Sequence, residues 1–124
     1  MINQILIYIS GAVTLVWGIA HLFPTKSIVR GFGEISTDNK HIITMEWIVE
    51  SAALIFIGFI VIGVTIIKPS GIISTFIYLS SISILLVLAI ISFFTGYKVK
   101  FIAFKLCPYL LTFSSVLIFL GYTL

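Results

Sequence analysis

The chain has 124 residues, of which 60% are hydrophobic and 9% are charged, with seven basic residues, four acidic residues and a formal net charge of +3. A soluble domain carries about 25% charged residues because its surface faces water, so this composition excludes a soluble globular protein. The single cysteine excludes an internal disulfide and a metal site built from several cysteines. A mean hydropathy of +1.29 instead predicts a protein whose outer surface faces lipid.

Four apolar runs follow one another along the chain. A hydrocarbon core of ~30 Å needs about 20 apolar residues in a helix, and each run reaches that length. We predict an all-α fold, an integral membrane four-helix bundle in a single transmembrane domain, with helices at roughly 3–22, 42–67, 72–95 and 102–123. The first run lacks the basic start and the small-residue cleavage site of a signal peptide, so we expect it to be a retained helix.

The first predicted helix carries Gly11 and Gly18 on one stripe of small residues. Small residues let membrane helices approach closely, although they also leave room for a bound ligand. In the loop 23–41 that follows, the run "TKSIVRGFG" predicts a short interfacial helix, and "STDN" at 36–39 supplies capping residues for the second helix.

The second predicted helix carries two of the four acids, Glu46 and Glu50, one turn apart on the same face. A charged side chain at membrane depth costs from ~2.5 kcal/mol upwards. This cost is offset by a partner, by a water-filled pocket or by protonation. His21, at the end of the first helix, is the predicted partner.

The last two helices add polar groups. The third contains the hydroxyl-rich run "STFIYLSSIS" at 74–83, whose side chains are expected to bond across helices, to bond their own carbonyls or to line a polar cavity. The fourth has Lys105 and Tyr109 near its start, at the same end of the bundle as His21.

Basic residues predict the orientation. Six of the seven fall in the first connection, the third connection and the start of the fourth helix, whereas only Lys68 falls in the second connection. By the positive-inside rule, loops 23–41 and 96–101 should face the cytoplasm, with both termini outside the cell membrane. These basic residues are spread along membrane edges, so no nucleic-acid partner is expected.

We therefore predict a polar pocket at the cytoplasmic end of the bundle. Glu50, Glu46 and His21 are its predicted acid, base or ligand groups. The predicted contacts to a bound ligand or cofactor are His41, Trp17, Trp47, Lys105 and Tyr109. A divalent metal such as zinc, iron or manganese could be held by His21, Glu46 and Glu50. The sequence requires no cofactor, and the same cluster could simply lock two helices together.

Two stretches carry a family resemblance. "WGIAHLFP" at Trp17–Pro24 ends the first helix, and "EWIVESAALIFIGF" at Glu46–Phe59 fills much of the second. Over this first half, the chain resembles the DoxX-like small four-helix membrane proteins. The resemblance implies an accessory or redox-associated role, in complexes related to redox or quinone chemistry.

Three functions remain open at this point. The pocket could bind a small ligand, a lipid-like molecule or a metal. The chain could instead be an accessory or scaffold subunit of a membrane redox complex or of another membrane complex. It could also carry out proton-coupled transport of a small solute as a homo-oligomer. In all three cases the lipid bilayer surrounds the protein.

Overall fold

The computed structural model describes residues 1–68 and 71–124, which form five helices. These are α1 (Ile2–Leu22), α2 (Thr25–Gly31), α3 (Thr37–Ile67), α4 (Gly71–Gly96) and α5 (Ile102–Thr123). The prediction of an all-α, four-helix membrane bundle is confirmed. All four long helices are apolar and long enough to cross a membrane, as in a multi-pass membrane protein.

The four long helices alternate in direction. Ser10 of α1 donates to the carbonyl oxygen of Ser114 in α5 at 2.8 Å, and Gly121, near the end of α5, meets Asn3 at the start of α1. The ends of α1 and α4 therefore lie with the starts of α3 and α5. We call this end of the bundle the histidine end, because it carries His21. The opposite end carries Tyr78 and Tyr122, and we call it the tyrosine end.

Glycines set the spacing between α1 and α3. A Cβ atom on Gly58 would lie 2.6 Å from the backbone nitrogen of Leu15 and 2.7 Å from the carbonyl oxygen of Gly11. A Cβ atom on Gly18 would lie 2.8 Å from the backbone nitrogen of Ile55. Only glycine permits this backbone approach, so the stripe of small residues serves helix packing and does not leave room for a ligand.

The start of α3 differs from the prediction in position. The Ser36 side chain accepts a hydrogen bond from the backbone N–H of Asn39 at 3.2 Å, which confirms "STDN" as a helix cap but starts the helix at Thr37 rather than near residue 42. With 31 residues, α3 is ~46 Å long. That exceeds a hydrocarbon core of ~30 Å, so the polar first turns of α3 have room to extend beyond it.

A pair of hydroxyl groups joins α3 and α4 at the tyrosine end. The hydroxyl groups of Thr65 and Tyr78 are 2.9 Å apart. Thr65 already donates its one proton to the carbonyl oxygen of Val61, so Tyr78 is the donor in this pair. Towards the histidine end, the two helices separate and a cavity lies between them. α3 consequently packs far less extensively against α4 than against α1.

Candidate functional site

The histidine end contains a cavity of about 500 Å³ between α1, α3, α4 and α5, which we call the His21 cavity. Its size is typical of pockets that hold small molecules. Most of the wall is apolar. The aromatic part consists of Trp17, Trp47, Phe101 and Phe104. The polar part consists of His21, Glu50, Ser92, Thr95 and Cys107.

The backbone around the end of α1 fixes the His21 side chain. Its Nδ1 atom lies 3.1 Å from the carbonyl oxygen of Trp17. A carbonyl can only accept, so Nδ1 carries a proton. The indole N–H of Trp47 donates to the carbonyl oxygen of His21, which is one of the last carbonyls of the helix and has no partner within it. This arrangement holds the ring and leaves Nε2 directed at α3.

Two indole rings enclose the imidazole. The Trp47 ring is stacked on it, with the centroids 5.0 Å apart and 26° between the planes. The Trp17 ring meets it edge-on at 5.5 Å and 74°. Only 10% of the His21 side chain is exposed as a result.

Glu50 faces the free nitrogen of this ring, as the sequence predicted. His21 Nε2 and Glu50 Oε1 are 3.8 Å apart, and 39% of the Glu50 side chain is exposed. The distance suits an ion pair but is too long for a hydrogen bond. In the neutral ring Nε2 is an acceptor, like the carboxylate. A proton or a third group is therefore needed to join the two atoms.

Cys107 completes the cluster from α5, and sequence reasoning missed it. The residue is 5% exposed. Its Sγ atom and the facing atoms of His21 and Glu50 all lie within 4.8 Å of one another. The missed signal was spacing: Cys107, Leu111, Ser114 and Ile118 recur at intervals of three or four residues and are all buried. This period marks the inward face of a helix.

Glu46 and His41 do not reach the cluster, so the predicted metal set of His21, Glu46 and Glu50 is not brought together. Glu46 and His41 are both exposed on α3. Glu46 lies one turn closer than Glu50 to the start of α3, beyond the level at which α1 ends at Leu22. His41 is about 13 Å from Glu50 along the helix axis, at ~1.5 Å per residue.

Lys105 and Tyr109 also lie outside the His21 cavity. Each is two residues from Cys107, which rotates it by about 200° around α5, to the opposite face. The Lys105 ammonium lies 5.7 Å from the centre of the Tyr97 ring, and Tyr109 is exposed. Of the residues predicted to contact a ligand or cofactor, only Trp17 and Trp47 line the cavity.

Comparisons with models of protein families, with curated proteins and with solved structures give no match for this chain. The resemblance to DoxX-like proteins stays a prediction. A fold by itself does not specify a function, whereas the His21 cavity and its polar cluster limit what this protein can bind.

Proposed function

We propose that the chain is a membrane protein that binds a small, mainly apolar molecule with a hydroxyl headgroup in the His21 cavity. One observation carries the proposal. His21 and Glu50 are 3.8 Å apart, too far for a direct hydrogen bond, in the wall of a largely apolar cavity of about 500 Å³. Ligand pockets typically combine an apolar wall with a few polar groups that fix orientation.

The spacing of the pair supports a bridging oxygen. An oxygen atom about 2.8 Å from both Nε2 of His21 and the Glu50 carboxylate spans their separation. A hydroxyl group donates its proton to one of the two atoms. When the imidazole is protonated, the hydroxyl accepts from Nε2 and donates to the carboxylate, so that all three groups are joined.

The separation of α3 and α4 supports access from the membrane. Trp47 and Glu50 line the cavity from α3, whereas Leu88 and Ile91 line it from α4. Glu50 is partly exposed, and we expect an apolar molecule dissolved in lipid to enter the cavity sideways between these helices. The positive-inside pattern orients this end towards the cytoplasm of a cell-membrane protein.

Intrinsic fluorescence tests the proposal directly. Trp17 and Trp47 are the only tryptophans of the chain, and both line the His21 cavity. A long-chain alcohol brominated on its chain should quench both in a saturable manner. A brominated alkane of equal length should bind more weakly. Glu50→Gln should weaken alcohol binding about tenfold, since hydrogen bonds to charged groups contribute ~1.5–3 kcal/mol.

Glu46→Gln is the matched control, because it removes an exposed acid on the same helix. This variant should bind the alcohol like the unmodified chain. Quenching that rises without saturation, to the same extent for alcohol and alkane, would show mere partitioning into the detergent micelle and would refute ligand binding.

Two other functions stay predictions, namely an accessory subunit of a membrane complex and proton-coupled transport by an oligomer. Both can be separated from simple binding. Uptake of a solute into proteoliposomes that depends on a pH gradient, and that Glu50→Gln abolishes, would favour transport. Co-purification of a defined partner complex would favour the accessory role.

A further inference from the structure

We propose that His21, Glu50 and Cys107 form a site for a divalent transition metal of the Zn²⁺ type, with one coordination position open to the His21 cavity. The three ligands come from α1, α3 and α5 respectively. This site goes beyond the binding of an apolar molecule and does not rest on it.

The distances are close to those of a metal site. Zn²⁺ bonds to nitrogen, oxygen and sulfur are about 2.0–2.3 Å long, so tetrahedral ligand atoms lie roughly 3.3–3.8 Å apart. For an imidazole nitrogen and a carboxylate oxygen the range narrows to roughly 3.3–3.5 Å, and the 3.8 Å between His21 and Glu50 is close to it. No separation in the triad exceeds 4.8 Å. A metal would draw the three atoms closer by about 1 Å at most, through small changes in side-chain torsion angles.

The hydrogen bond behind the imidazole prepares His21 for a metal. Metal-binding histidines generally donate their other ring N–H to a carbonyl or carboxylate, which fixes the tautomer. His21 Nδ1 makes this bond to the carbonyl oxygen of Trp17. In the neutral ring, the lone pair is then on Nε2, the atom that faces Glu50 and Cys107.

Trp17 offers a further supporting group. Its indole N–H is buried and makes no well-formed hydrogen bond within the described part of the chain, and its contact with the Cys107 thiol is a weak one. Buried donors are usually paired. A thiolate accepts hydrogen bonds better than a thiol does, because an ionised acceptor strengthens the bond. Metal binding at Cys107 would therefore strengthen the contact between the Trp17 indole N–H and the sulfur.

The donor set selects the class of metal. Calcium and magnesium prefer oxygen ligands, whereas zinc accepts imidazole, carboxylate and thiolate together. One thiolate and one carboxylate also neutralise the two charges of the ion, which lowers the cost of holding it in a largely apolar cavity. The thiol releases its proton to solvent as the metal binds. Three protein ligands and one open position are typical of reactive rather than purely structural zinc sites.

Co²⁺ provides a spectroscopic test with a built-in assignment. The chain has one cysteine, so an absorption band from thiolate-to-Co²⁺ charge transfer reports Cys107 alone. Chelator-treated protein should bind one Co²⁺ per chain, show this band and lose it when Zn²⁺ is added. Cys107→Ser should abolish the band. His21→Gln and Glu50→Gln should each weaken Co²⁺ binding about tenfold or more, since mutation even of groups that only support metal ligands lowers metal affinity by this much.

The exposed residue Glu46 again supplies the control, and Glu46→Gln should bind Co²⁺ as the unmodified chain does. If a variant fails to fold, the Co²⁺ titration of the unmodified protein still tests the metal site by itself. Absence of the charge-transfer band at saturating Co²⁺, in protein that retains its melting transition, overturns the metal site. Quenching by the brominated alcohol is measured on metal-free protein, so failure of either proposal is distinguishable from failure of the other.

Discussion

Helix α3 has a closed interface on one side and an open one on the other. Against α1, a Cβ atom on Gly58 would collide with backbone. Against α4, a hydroxyl pair closes the tyrosine end and a cavity of about 500 Å³ occupies the histidine end. The difference shows how rigidity and space coexist in one small bundle. The closed interface holds Glu50 opposite His21, whereas the open interface gives a ligand room beside them.

The largest expected effect comes from breaking the closed interface. Gly58→Ala places a methyl group 2.6 Å from the backbone nitrogen of Leu15, and overpacking of this kind costs about 1–3 kcal/mol. The helices must separate to accommodate it, which also moves Glu50 away from His21. Thermal unfolding in detergent should show a clear loss of stability, and alcohol-dependent quenching should weaken.

Gly63→Ala is the control for this experiment. Gly63 lies in the same helix, and a Cβ atom there meets nothing within 4 Å. The free energy of unfolding should not fall, since alanine favours a helix over glycine by up to ~1 kcal/mol. Equal destabilisation by both substitutions would contradict the account of α1–α3 packing.

A smaller effect is expected at the closed end of the α3–α4 interface. Tyr78→Phe removes the hydroxyl that donates to Thr65. Hydrogen bonds between membrane helices contribute about 0.6 kcal/mol on average and up to ~1.7, so we expect a loss of that order in the free energy of unfolding. Alcohol binding at the opposite end should be unchanged.

The control for Tyr78→Phe lies on the same helix. Ser83 donates to the carbonyl oxygen of Leu79 in its own helix at 2.8 Å and is exposed. Ser83→Ala should therefore leave the stability of the bundle unaltered. A loss of alcohol affinity in Tyr78→Phe, comparable to that in Glu50→Gln, would show that the two ends of the α3–α4 interface are not independent.

The sequence could predict the spans and one half of the site, for separate physical reasons. Apolar runs of membrane length specify helices because the backbone must satisfy its own hydrogen bonds in lipid. Glu50 and His21 are polar groups at the same end of two neighbouring spans, and a charge in the membrane needs a partner. Their pairing follows from these two facts together.

The other half of the site depends on how the helices are rotated and shifted against one another. The choice of Glu50 over Glu46 depends on where α1 ends beside α3, and the glycine contacts between these helices set that level. The inward rotation of Cys107 depends on the packing of α5, where Gly121 meets Ile7. Hydropathy carries no information on the rotation or axial shift of one helix against another. A shift by a single helical turn changes which side chain faces the cluster.

The smallest expected effect on stability comes from filling the open end. Ser92 lines the His21 cavity from α4, so Ser92→Leu adds apolar atoms to existing space. The Ser92 hydroxyl makes only a long contact with Cys107 Sγ, at 3.8 Å. We therefore expect the free energy of unfolding to change by less than the ~0.6 kcal/mol of an average hydrogen bond between membrane helices, while saturable quenching by the alcohol is lost. Ser83→Leu, on the exposed part of α4, is the matched control and should retain saturable quenching by the alcohol. If Ser92→Leu bound the alcohol normally, the ligand would have to occupy another place on the protein. The open part of the α3–α4 interface would then not be the binding site.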